Sequence, residues 1–158
     1  MPNWCSNVLK ITFADEDQQE SFMAKVDRVN RKKEGFFNQF IPMPKELKTI
    51  GECREWCLDN WGTKWDVDYL RVKELPGSVT LSFDTAWEEP VRFYHWLQIH
   101  LHLQFEAFYF EPLLDFAGMF LSTGESAKGI TYSDLSRGVE DGTLPQELID
   151  EFDLDEEY

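Results

Sequence analysis

The segment Asn60-Trp61-Gly62-Thr63-Lys64-Trp65-Asp66 places two indoles, a cation, an amide and a carboxylate around one glycine turn. Such a turn has the chemistry of a recognition surface. Trp61 and Trp65 can stack on a base, a peptide or another ring, Lys64 adds a positive charge, and Asn60 and Asp66 can fix orientation by hydrogen bonding. Trp87 is a further candidate for the same surface. The competing arrangement packs Trp4, Trp61, Trp65 and Trp87 together as a second small core, because tryptophan is well buried on average.

Other chemistry is weaker. Cys53 and Cys57 are one helical turn apart, and Cys5 could join them, but structural zinc uses tighter cysteine and histidine pairs with four ligands. We read all three as reduced, inert thiols and expect no metal site. His95 and His102 would share a helix face about two turns, or ~10 Å, apart, too far for one metal ion. His100 falls on the apolar side and reads as a core residue. Glu88 and Glu89 precede a helix, where negative charge favours the positive end of the helix dipole. The chain lacks a phosphate-binding loop, a dinucleotide fingerprint, a zinc-protease motif and a calcium loop. No catalytic residue and no cofactor are therefore expected.

The elements that must position these groups follow from periodicity. Leu9, Ile11 and Phe13 alternate with Lys10 and Thr12, the pattern of a half-buried strand. From Asp15 to Lys33 the period becomes helical, with Phe22, Val26 and Val29 on one face and Gly35 as the expected stop. Pro42 and Pro44 force extended backbone in an insertion that runs to Gly62 and includes a short helix near 52–60. Residues 65–72 and 78–83 flank Pro76-Gly77 as a hairpin. Pro90 opens a second helix carrying Phe93, Leu97 and Leu101. Residues 104–110 are aromatic on both faces, as in a central strand; 117–121 and 128–132 follow as further strands. The order is that of an α+β, ferredoxin-like βαββαβ sandwich with an insertion after the first helix and a possible extra C-terminal strand.

One such domain accounts for residues 1–138. Residues 139–158 hold nine carboxylates and no Lys or Arg, leaving −6 of the formal −15 for the rest of the chain. This segment reads as an acidic tail that is flexible or folds on binding, with Leu148, Ile149 and Phe152 as its apolar anchors. So acidic a chain is repelled by phosphate backbones and anionic lipid, so direct nucleic-acid binding is not expected and a partner with a basic surface is. The absence of an export signal and of a long apolar run argues for a cytoplasmic protein that does not enter the membrane.

Four segments carry a resemblance: Met1-Pro2-Asn3-Trp4-Cys5-Ser6-Asn7, Phe40-Ile41-Pro42-Met43-Pro44-Lys45-Glu46-Leu47, Trp56 to Asp66, and Phe83-Asp84-Thr85-Ala86-Trp87-Glu88-Glu89-Pro90. In their order and rare residue types they resemble the YubB-like family of ferredoxin-like proteins, over roughly the first 138 residues. The resemblance implies a setting on bacteriophages, plasmids and other mobile elements, and carries over no reaction. The expected function is that of a non-catalytic accessory protein binding a host or defence protein, its tail competing for a basic surface. The alternative is a small enzyme or ligand-binding domain acting on a nucleotide or nucleic acid through the tryptophan-rich turn.

Overall fold

A computed structural model describes residues 2–158. Six antiparallel strands form one sheet, β1 (Trp4–Thr12), β2 (Arg71–Leu75), β3 (Ser78–Ala86), β4 (Gln104–Glu111), β5 (Phe116–Thr123) and β6 (Ala127–Ser133), in the order β2-β3-β1-β4-β5-β6. The protein is an α+β fold. Every neighbouring pair is antiparallel, and β1 is central, with Leu9 opposite both Leu81 and Ala107. The expected strands at 117–121 and 128–132 are present as β5 and β6.

The first face of the sheet carries the larger core. Leu9, Ile11, Leu81, Phe83, Phe105 and Phe120 pack under α1 (Glu16–Lys32) and α3 (Val91–Leu101). In α1 the apolar stripe Phe22, Met23, Val26 and Val29 is buried, and Asp15 caps the helix by accepting from the Gln18 N–H at 2.8 Å. The helix stops at Lys33, which is left-handed at φ 55°, not at Gly35. Pro90 precedes α3 as its cap residue.

Between these helices the insertion contributes a single 3-10 turn (Phe37–Gln39) and α2 (Ile50–Asn60). Phe36, Phe37 and Phe40 lie in the main core, edge-on or tilted against Phe93 at 4.7–5.5 Å. The insertion is thus part of the first core.

Two further local expectations differ from the structure. The strand expected over 65–72 begins only at Arg71, because residues 66–70 are held off the sheet: the Phe36 N–H donates to the Val67 carbonyl at 2.7 Å, and the Leu70 N–H donates to Asn30 Oδ1 at 2.8 Å. His100 is exposed, stacked on Trp96 at 4.8 Å, and not a core residue.

The second face is covered over β1, β4 and β5 by α4 (Leu135–Glu140), α5 (Gln146–Phe152) and α6 (Leu154–Glu157). Leu135, Leu144, Leu148, Ile149 and Leu154 bury themselves on Phe108, Ala117 and Met119. Phe152 packs on Phe110 at 5.6 Å, and Lys10 pairs with Glu151. Residues 139–158, expected to be flexible or to fold on binding, are helical and packed on this face. Phe108 and Met119 offer an apolar strip, and leucines spaced along the acidic segment match it.

Candidate functional site

Asp66 organises the ground around the tryptophan turn. Its Oδ1 accepts from the backbone N–H of Phe37 and of Val67, each at 2.7 Å, and its Oδ2 accepts from the Asn38 N–H at 2.8 Å. The carboxylate thereby serves as the cap of the 3-10 turn and ties 66–67 to 36–38. Gly35 is required beside it, since a Cβ there would overlap the Asp66 carboxylate. Burial pushes the Asp66 carboxyl up to about 6, against the pull of those three N–H donors.

Asn38 extends the scaffold by accepting from the Met43 N–H at 2.7 Å, and the Trp61 indole N–H donates to the Ile41 carbonyl at 3.0 Å. The start of α2 carries a capping box: Thr49 accepts from the Glu52 N–H, and the Glu52 carboxylate turns back onto the Thr49 N–H at 2.9 Å. These contacts hold three walls, the 43–49 segment, α2 and the 61–66 turn, around a hollow of about 790 Å³.

Met43, Leu47, Ile50, Trp61 and Trp65 supply apolar lining, while Lys45, Lys48, Arg54 and Lys64 supply four cations. Cys53 and Cys57 stand on the same wall. Among the described residues Asp66 is the one carboxylate in the lining, and both of its oxygens are occupied by the N–H groups described above.

The residues singled out from sequence thus separate. Trp61, Lys64, Trp65 and Asp66 line the hollow. Asn60 does not; its amide donates back to the Trp56 carbonyl at 2.9 Å. Trp87 lies beneath the Lys64 ammonium, 4.6 Å from ring centre to nitrogen, where it positions that cation. The four tryptophans do not form one cluster: Trp61 is buried against Phe37 and Trp56, while Trp4 meets Trp65 edge-on at 6.3 Å. Trp65 remains 38% exposed, so its ring is open to a ligand.

Lys45, Lys48 and Arg54 escape sequence reasoning because nothing local distinguishes them from solvated surface cations. Their one signal is the run Pro42-Met43-Pro44-Lys45 ahead of a helix start, which brings basic residues into a stiff segment.

Cys5 lies within β1 opposite Thr85 of β3, and burial raises its thiol well above the ordinary range. Asn7 donates to Thr85 Oγ1 at 2.9 Å and accepts from the Tyr94 hydroxyl at 3.0 Å, completing a buried polar chain. Glu111 is wholly buried; one carboxylate oxygen accepts from the Leu114 N–H and the other has no partner among the described residues. Among the described residues no cluster of three or more metal-ligating side chains forms. No described helix is long and apolar enough to cross a membrane. Comparison with protein-family models, curated proteins and solved structures finds no match to this chain.

Proposed function

We propose that this chain is a non-catalytic binding module of a mobile genetic element, of the YubB-like kind, that presents a fixed acidic surface to a basic host or defence protein. The strand order β2-β3-β1-β4, with α1 and α3 on one face, supports a ferredoxin-like topology extended by β5 and β6.

The observation that carries the functional reading is the docking of residues 139–158. With Leu144, Leu148, Ile149 and Leu154 turned inward, Glu140, Asp141, Glu147, Asp150, Asp153, Asp155, Glu156 and Glu157 all stand exposed. A disordered acidic tail would lose chain entropy on binding; a docked one has already lost it and holds its charges in place. Clustered like charge also speeds encounter with an oppositely charged partner.

Recognition of RNA on the sheet is disfavoured by the same docking. Of the β4 aromatics of the second face, Phe108 is buried under the C-terminal helices and Phe110 is packed against Phe152, half-buried, which leaves no open aromatic platform for bases.

The test compares the native protein with a variant carrying Glu147→Gln, Asp150→Asn, Asp155→Asn and Glu156→Gln, each as bait for bacterial lysate treated with nuclease. Removing the tail would uncover Phe108 and Met119, so amide substitution is the cleaner change. The expected result is a basic protein retained by the native bait, released by salt, and lost with the variant. Identical retention by both baits would sink the acidic-surface reading.

A further inference from the structure

We infer that the hollow between the 43–49 segment, α2 and the 61–66 turn is a binding site for a small organic phosphate with a flat ring, the chemistry of a nucleoside diphosphate. This inference is independent of the acidic surface, which lies on the other face of the sheet.

Charge distribution is the first argument. In a chain of net charge −15, four cations line one hollow against a single carboxylate. That carboxylate is consumed by three backbone N–H groups, and the neighbouring Glu52 is turned onto the Thr49 backbone. Lys45, Lys48, Arg54 and Lys64 make no ion pair among the described residues. With so many carboxylates in the chain, Lys45, Lys48 and Arg54 without a carboxylate partner among the described residues, and Lys64 held only by the Trp87 ring, call for an anionic guest. At physiological ionic strength charges beyond about 8 Å are largely screened, so these four outweigh the distant acidic surface.

Shape and lining narrow the guest. A volume of about 790 Å³ suits a ligand larger than a lone phosphate, and pockets for such ligands commonly span about 300–1,000 Å³. Trp65, open on one side, offers a ring for stacking, with Met43, Leu47 and Ile50 as further apolar contacts. Lysines act as point charges toward phosphate and Arg54 offers a planar fork. The walls are held by the Asp66 and Asn38 hydrogen bonds and the Trp61 to Ile41 bond, so the site exists before the ligand arrives.

Cys53 is a built-in reporter, half-buried on the lining. The experiment titrates the full chain with ADP, GDP, CDP, UDP and inorganic pyrophosphate. Tryptophan fluorescence, calorimetry and the rate of Cys53 alkylation by neutral iodoacetamide are followed. At least one nucleoside diphosphate is expected to bind saturably, change the fluorescence and slow Cys53 alkylation. Lys48→Gln with Arg54→Gln should weaken it by ~tenfold or more, the size of one lost charge-assisted hydrogen bond, with the thermal midpoint unchanged. Trp65→Ala should weaken the nucleotide while leaving pyrophosphate unaffected.

Binding that survives the double substitution overturns the site assignment. Binding of pyrophosphate alone overturns the stacking ring. No response to any of the five probes at millimolar concentration overturns the inference as a whole, while leaving capture of a basic partner untouched.

Discussion

Leu148→Ala should destabilise this protein by about 3 kcal/mol if residues 139–158 are part of the folded domain. Leu148 is fully buried on α5, within a cluster that includes Phe108, Met119, Leu144 and Leu154. Truncation to alanine removes three carbons from that cluster, about 2.4 kcal/mol at ~0.8 kcal/mol per buried methylene. The cavity left behind adds to this, and measured Leu→Ala costs at buried sites span about 2–5 kcal/mol. A helix of seven residues has no stability of its own, so nothing local compensates.

The assay is urea and thermal unfolding followed by near-ultraviolet circular dichroism, with native-state hydrogen exchange of the 146–152 amides. A fall in thermal midpoint of about 6–12 °C is expected, at 2–4 °C per kcal/mol for a chain of this size. Exchange at 146–152 should accelerate before that of β1 if the helices undock as a unit. Glu147→Ala, exposed on the same helix, serves as control and should stay within about 0.5 kcal/mol. An unchanged unfolding midpoint for Leu148→Ala, with 146–152 exchanging freely in the native protein, would refute docking and restore a separable tail.

Three further outcomes follow from the site. Gly35→Ala should push the Asp66 carboxylate off its N–H donors and cost about 2 kcal/mol, and the double change with Asp66→Ala should cost no more than Asp66→Ala alone, read by urea unfolding. The folded Asp66 carboxyl titrates near 6, above its ordinary 3.8, so the native state holds this proton more tightly than the unfolded chain. Stability from this group is full below about pH 4 and falls as pH rises to about 6, by at most about 3 kcal/mol; Asp66→Asn should flatten that slope in unfolding measured from pH 4 to 7. At pH 8, Ellman's reagent should label Cys53 quickly, whereas Cys57, its thiol pushed up to about 11 by burial, and Cys5 should react only on unfolding. Two fast thiols in the folded protein would contradict the burial of Cys57.

Alternation in 9–13 and 79–83, and the helical stripe Phe22, Val26, Val29, were legible because each segment's apolar spacing alone states which side it buries. The same was true of β4, whose aromatics on both faces announced a strand covered twice. What covers its second face was not legible: acidic composition pointed toward disorder in 139–158, and only an uncovered apolar strip on β4 and β5 outweighs it. Residues 65–70 have strand-like composition but are diverted by Phe36, Phe37 and Asn30, partners 29 to 40 positions distant in sequence.

For the candidate site, the turn from Trp61 to Asp66 identified itself through rare residue types close together in sequence. Its basic half did not. Lys45, Lys48 and Arg54 become a site only when the Pro44 segment and α2 fold back over that turn. The sequence by itself determined the strands, the buried stripe of the first helix and the excess of negative charge, because periodicity and composition are local properties of the chain. Tertiary structure alone decided which face the acidic segment covers and which cations share a cavity, because both depend on contacts between residues remote in sequence, whose pairing no local pattern encodes.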